Sequence, residues 1–120
     1  MYQSPFFQIN LLSANGSTAE AYLIAPFDCI VQNVIATLQG DPGDSDVITV
    51  TELGDSTTLG TITFGTTLAV GDDQVSYVKD TTNGDHKVLA GETIRFQLSA
   101  ATAAANIHLN VELDPFCLPA

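Results

Sequence analysis

Three carboxylates stand close together in one short stretch that also contains Gly and Pro, at Asp41, Asp44 and Asp46. Calcium prefers oxygen ligands of this kind. The spacing of the three carboxylates departs from the D-x-D-x-D-G pattern of a calcium loop. Aspartate is also a common turn residue. The stretch therefore favours a solvated turn over a calcium site.

The two histidines, His86 and His108, are the other residues that could ligate a metal. His86 follows Asp85 in a polar stretch, and His108 lies on the polar side of an alternating run. Neither has a Cys or a second His at the spacing used by zinc sites. Both are predicted to be surface histidines, and no metal or other cofactor is expected.

Nucleophilic catalysis has little support in the sequence. A nucleophile needs a base and an orienting group nearby, and no serine stands in a G-x-S-x-G turn. Cys29 and Cys117 lack basic neighbours in the sequence, and whether they form a disulfide stays open. No Gly-rich phosphate loop is present. We expect a protein that is not an enzyme, with a hydrolytic site assembled from distant residues as one alternative.

Strand patterns fill the chain, and helical periodicity is nearly absent. The cleanest alternation covers 107–113, with Ile107 and Leu109 on one side and His108 on the other. The longer apolar run at 29–38 predicts a central strand that is covered on both faces. Turn signals such as Asn15-Gly16 recur about every ten residues.

About eight short alternating strands predict an all-β fold, an antiparallel β-sandwich with jelly-roll-like topology. The length of 120 residues fits one domain with its own core. Within it we predict an N-terminal arm and first strand at 1–17, a sandwich body at 18–113 and a C-terminal tail at 114–120.

The charge balance excludes some partners. Three Lys and Arg face fourteen Asp and Glu, a net charge of −11. Nucleic acid and anionic membranes would be repelled by this field. The chain begins without the basic and apolar regions of a signal peptide, and no apolar run is long enough to cross a bilayer. Synthesis in a cytoplasm, with reduced thiols, is expected.

Both chain ends are rich in apolar residues. Chain ends fray unless they are tied down, so such ends either fold onto their own domain or dock on a neighbour. The predicted partner interface comprises Tyr2, Pro5, Phe6, Phe7, Pro115, Phe116 and Leu118.

The stretch AYLIAPFDCIVQNVIATL at 21–38, the run VLAGETIRFQL at 88–98 and the last strand at 107–113 resemble small β-sandwich structural proteins of tailed bacteriophages. Within that group the chain is similar to the capsid cement, or decoration, proteins over roughly 18–113. The resemblance implies a homotrimer on the outside of the phage head that clamps neighbouring major capsid subunits. It implies no catalytic residues, and a place on the virion exterior after synthesis in the host cytoplasm.

The alternative is a β-sandwich module of a phage tail or fibre that binds a receptor or a glycan. Such modules use exposed aromatic rings to stack on sugars. The chain has no Trp and three Tyr, which counts against this alternative.

Overall fold

A computed structural model of the chain describes residues 5–13, 19–38, 47–64, 74–99 and 105–115. These residues form nine β-strands and no helix, and so none that is long and apolar enough to span a membrane. The strands are β1 (Phe6–Ser13), β2 (Ala19–Ile24), β3 (Cys29–Leu38), β4 (Val47–Glu52), β5 (Thr57–Thr63), β6 (Gln74–Ser76), β7 (Val78–Lys79), β8 (Thr93–Leu98) and β9 (Ala105–Pro115).

The strands form two antiparallel sheets with the orders β1-β9-β3-β6 and β2-β8-β4-β5-β7. The pairing is nested, because β1 pairs with β9, β2 with β8, β3 with β6 and β4 with β5. A long hairpin rolled up in this way is a jelly roll. The short β7 extends the second sheet at its β5 edge. The predicted all-β antiparallel sandwich is confirmed.

The core lies between the sheets and follows the two-residue period of each strand. In β8, Ile94, Phe96 and Leu98 are fully buried, while the residues between them are half-buried. In β9, Ile107, Leu109, Val111 and Leu113 are fully buried in the same way. Burying each such side chain stabilises the fold by about 1.5–3 kcal/mol.

The prediction that β3 is covered on both faces is only half met. β3 is central in its sheet, between β9 and β6. Its inward residues, such as Val34 and Ala36, are fully buried. On the outward face Ile35 and Thr37 are half-buried and Gln32 is exposed. The described parts of the chain place no third layer over this face, which explains its partial exposure.

The described connections longer than one residue lie at one end of the sandwich, and we call it the loop end. It contains 25–28 between β2 and β3, 53–56 between β4 and β5, and 80–92 between β7 and β8. Pro5 and Pro115 lie at the same end, since Leu113 N donates to Pro5 O and Pro115 is opposite Cys29. The predicted turn at Asp41, Asp44 and Asp46 lies outside the described residues.

Candidate functional site

The turn between β4 and β5 begins with a buried carboxylate. Glu52 is the last residue of β4, and no part of its side chain is exposed. Its Oε2 accepts a hydrogen bond of 3.1 Å from the backbone N–H of Asp55. The backbone N–H of Leu53 donates to Thr93 O at 3.0 Å, which fixes the start of the turn against β8. Glu52 is therefore held in place by its strand and by its own turn.

Hydrogen bonds within its first turn shape the 80–92 loop. Asp80 Oδ2 accepts hydrogen bonds from the backbone N–H groups of Thr82 and Asn83, at 3.1 and 2.8 Å. Gly84 N donates to Asp80 O at 2.9 Å, and His86 N donates to Asn83 O at 3.0 Å. An aspartate that accepts from the next residues in this way stabilises a turn. These bonds fix the backbone that carries His86.

Lys79 joins this loop to the other sheet. Its Nζ lies 2.8 Å from Asp85 Oδ1 and donates to Gln32 Oε1 at 3.2 Å. Gln32 belongs to β3 of the first sheet, whereas Lys79 ends β7 of the second. Residues 79–86 line an open concavity beside these contacts. The salt bridge is partly exposed, so it orients the loop more than it stabilises the protein.

Glu52, Asp55 and His86 converge at the loop end. His86 Nε2 lies 3.4 Å from Glu52 Oε1 and 3.6 Å from Asp55 Oδ2. One ligand atom from each residue lies within 4.8 Å of the others. The side chains are 0% exposed for Glu52, 28% for His86 and 65% for Asp55, so the cluster runs from the interior to the surface.

A third carboxylate borders this cluster. Glu92 Oε1 accepts a hydrogen bond of 2.7 Å from the backbone N–H of Leu89. Its Oε2 lies 2.9 Å from the place that a Cβ on Gly54 would occupy, and Glu52 Oε2 lies 2.8 Å from the same place. Two carboxylates thus approach the same point, one from the end of β4 and one from the 80–92 loop, which concentrates negative charge near the cluster.

A second group of polar side chains lies on the outer face of the five-stranded sheet. Tyr22 is opposite Arg95, and Glu20 is opposite Gln97. The Tyr22 hydroxyl donates to Glu20 Oε2, and Gln97 Nε2 donates to Glu20 Oε1 at 3.1 Å. The hydrogen bond to Glu20 raises the pKa of Tyr22, so its hydroxyl is neutral near neutral pH. This face presents an exposed aromatic ring beside charged and amide groups.

Exposed apolar side chains concentrate at one edge of the sandwich. Four of the five large apolar side chains that are more than half exposed in the described ranges are Phe6, Tyr22, Ile24 and Leu89. Tyr22 and Ile24 lie on edge strand β2, and Phe6 on β1, the edge strand that contacts it. Leu89 lies in the 80–92 loop, and this loop is joined to the residue after Ile24, because Gly91 N donates to Ala25 O at 2.8 Å. We call these four residues the apolar edge.

The structure separates the predicted interface residues into different environments. Phe6 is exposed, whereas Phe7 packs on the core with its ring centroid 6.3 Å from that of Phe27. Pro5 and Pro115 are half-buried at the loop end. Tyr2, Phe116 and Leu118 lie outside the described residues, as does Cys117.

The remaining candidate residues are more enclosed than the sequence suggests. Cys29 is a free and fully buried thiol, and burial followed by the nearby Asp28 raises its pKa to about 11. His86 and His108 were expected at the surface, but both are half-buried. His108 Nδ1 is buried and has no hydrogen-bond partner among the described residues.

The cluster of Glu52, Asp55 and His86 was missed by the sequence reasoning, which looked for Cys and His spacing. One signal was present. Glu52 ends a run of β-branched residues, where a glutamate is out of place, and Asp55 follows it at a turn. His86 reaches the cluster only through the fold of the 80–92 loop, and no pattern in the neighbouring sequence predicts this.

No family model matches the chain, and no curated protein matches it. Among solved structures, the chain is similar to the carbohydrate-binding module CsCBM6-3 from Clostridium stercorarium, solved in complex with cellobiose. The similarity covers 98% of this chain and 88% of that one, with 18% identity and a TM-score of 0.47. At these values the similarity carries no argument about what this chain binds.

Proposed function

We propose that the chain is a structural cement protein that binds the outer surface of a phage head and clamps neighbouring major capsid subunits. The observation that carries the proposal is the exposed apolar edge. It lies beside the loop end, where Pro5 and Pro115 come together. Phe6 and Pro115 bring the two ends of the described chain to one end of the sandwich. Exposed apolar surface gathered in one region is typical of a protein interaction site.

The position of the apolar edge suits a clamp. Phe6 points outward from the four-stranded sheet and Ile24 from the five-stranded sheet, so the edge offers apolar contacts on two sides. A protein of this shape contacts two neighbouring subunits at once, and two weak contacts then act together. A homotrimer repeats the same contacts three times around a symmetry axis.

The charge distribution supports a location away from packaged DNA. The net charge is −11, and one of the three cations, Lys79, is paired with Asp85. A surface of this kind is repelled by phosphate backbones. It is attracted to a basic capsid surface, and this attraction weakens as salt rises.

Binding to heads tests the proposal. Heads of the same virus assembled without this chain are mixed with the purified protein, sedimented and assayed for bound protein. We expect saturable binding and a higher temperature of head disruption. The variant Phe6→Ser with Ile24→Ser should bind at least about tenfold more weakly, since buried apolar anchors carry much of an interface's affinity.

The matched control is Val78→Ser, since Val78 is also exposed but lies on β7 at the opposite edge of the five-stranded sheet. This variant should bind heads like the unmodified protein. The proposal is wrong if the unmodified protein never binds heads, and the apolar edge is excluded if Val78→Ser weakens binding as much as the double variant does.

A second candidate function, glycan binding by a tail or fibre module, is favoured by the outer face around Tyr22. A sugar ring stacks on an exposed aromatic face and takes hydrogen bonds from flanking polar groups. Glu20, Arg95 and Gln97 stand beside Tyr22 and offer polar groups of this kind. A glycan array probed with the protein and with Tyr22→Ala tests this function. Binding lost in Tyr22→Ala supports it, and a blank array excludes it.

A further inference from the structure

We propose that Glu52, Asp55 and His86 form a binding site for a first-row divalent transition metal, with Zn²⁺ the metal that fits best. The three residues come from the end of β4, the turn after it and the 80–92 loop. An imidazole nitrogen with two carboxylates is a set of ligands used by zinc. Mg²⁺ and Ca²⁺ prefer sites made of oxygen alone, so His86 disfavours them.

The distances between the ligand atoms fit a tetrahedral ion better than they fit hydrogen bonds. His86 Nε2 lies 3.4 Å from Glu52 Oε1 and 3.6 Å from Asp55 Oδ2. A good N–H···O bond is about 2.7–3.2 Å long. Two ligands at zinc distances of about 2.0–2.2 Å on a tetrahedron lie roughly 3.4 Å apart. The imidazole nitrogen is thus already placed for coordination with both carboxylates.

The burial of Glu52 is the second observation that points to a cation. A carboxylate that is removed from water is stabilised by pairing, by hydrogen bonds or by a metal. Glu52 is completely buried, and its Oε1 is directed at His86 at a distance longer than a good hydrogen bond. Glu92 Oε2 and Glu52 Oε2 lie 2.9 and 2.8 Å from the place that a Cβ on Gly54 would occupy, so a further carboxylate borders the site. A divalent cation would neutralise this concentration of negative charge.

The site leaves one position open toward the solvent. Three protein ligands leave the fourth tetrahedral position for water or for a group from a partner. Asp55 lies at the exposed side of the cluster, so an ion can enter and leave without unfolding the core. Bound metal would join the β4–β5 turn to the 80–92 loop, which makes the loop end more rigid.

The test uses the full chain without an affinity tag, after removal of metal with a chelator. Isothermal titration with ZnCl2 should show one site per chain. At about 100 times the dissociation constant, Zn²⁺ should raise Tm by roughly 10 °C, because it binds the folded state. Co²⁺ should give the visible absorption bands of a tetrahedral ion. Mg²⁺ and Ca²⁺ should change Tm far less.

Two variants remove a ligand without opening the core. His86→Gln and Asp55→Asn should each weaken Zn²⁺ binding by at least about tenfold and abolish the Co²⁺ bands. The matched control is His108→Gln, the same substitution on the outer face of the other sheet. It should bind Zn²⁺ with the affinity of the unmodified protein.

Three results would overturn the proposal. The first is the absence of saturable Zn²⁺ binding up to about 1 mM. The second is equal Zn²⁺ affinity in His86→Gln and His108→Gln, which would leave the contacts of His86 as ion pairs only. The third is stabilisation by Ca²⁺ that exceeds that by Zn²⁺ and is lost in Asp55→Asn, which would assign the site to a different class of ion.

Discussion

The ring of Tyr77 lies directly over the backbone of Gly60, so close that a Cβ on Gly60 would come within 2.4 Å of the ring. Gly60 is buried in β5, opposite Val50 on one side and Lys79 on the other. Any larger residue at position 60 must therefore displace the ring or the strand. The fit of this ring over this glycine holds the segment between β6 and β7 against the second sheet.

The variant Gly60→Ala should lower the free energy of unfolding by about 1–3 kcal/mol, because overpacking a filled site forces side chains and backbone to shift. Urea denaturation followed by circular dichroism measures this loss. In a Tyr77→Leu background the clash is removed, so the same substitution should be nearly neutral. An equal loss in both backgrounds would show that Gly60 matters for a reason other than the Tyr77 ring.

The hydroxyl of Tyr77 carries a separate prediction. It is buried and has no hydrogen-bond partner among the described residues. A buried polar group without a partner costs about 1–3 kcal/mol. Tyr77→Phe keeps the ring over Gly60 and removes this cost, so it should raise the free energy of unfolding by about 1 kcal/mol. A loss of stability would indicate that the hydroxyl has a bound partner in solution.

Gly91 is a glycine for a different reason. A Cβ there would meet no atom within 4 Å, but the residue has a φ of 90°, which L residues rarely adopt. Gly91→Ala should therefore cost about 1–2 kcal/mol through the backbone alone. Gly91→Asn should cost less, because Asn tolerates positive φ better than Ala. Equal costs for Ala and Asn would contradict the backbone explanation. Thermal unfolding of the two variants makes the comparison.

Alkaline pH should destabilise the protein through Cys29. Burial, followed by the charge of Asp28, raises the thiol pKa from 9.0 to about 11. The unfolded chain releases this proton above pH 9.0 while the folded chain keeps it, so stability is full below pH 9.0 and falls as the pH rises to about 11. The slope for this group is at most about 1.4 kcal/mol per pH unit. Tyr77, whose pKa is also raised by burial, adds a fall above pH 10.0.

Urea denaturation over this pH range measures the free energy of unfolding, which should fall less in Cys29→Ala than in the unmodified protein. Tyr77→Phe should remove the additional fall above pH 10.0. The control Cys117→Ser should lose as much stability at alkaline pH as the unmodified protein does, because it keeps Cys29. In the folded protein at neutral pH, Cys29 should react slowly with a thiol reagent, because it is both buried and protonated. Rapid modification of Cys29 in the folded state would contradict its burial.

Sequence reasoning reached the architecture because the strands carry their own pattern. The alternation from Ile107 to Leu113 marks the inward face of β9, and the turn signals separate the strands. The Glu52–His86 contact joins residues 34 positions apart, and it exists only because β4 and the 80–92 loop meet at one end of the sandwich. The packing of Tyr77 on Gly60 likewise depends on the pairing of β5 with the two-residue β7, which is too short to show a period.

The association state provides the last prediction. A homotrimer should appear in light scattering as three times the 12.6 kDa of one chain. Each copy has a net charge of −11, so the copies repel one another, and the trimer should dissociate as salt is lowered and the Debye length exceeds about 10 Å.

If the apolar edge joins the copies, Phe6→Ser with Ile24→Ser should give monomers while Val78→Ser stays trimeric. If the apolar edge instead binds the capsid, both variants stay trimeric and only the double variant loses head binding. A monomer at every salt concentration would contradict the trimer. The next measurement would then be the glycan array, probed with the protein and with Tyr22→Ala.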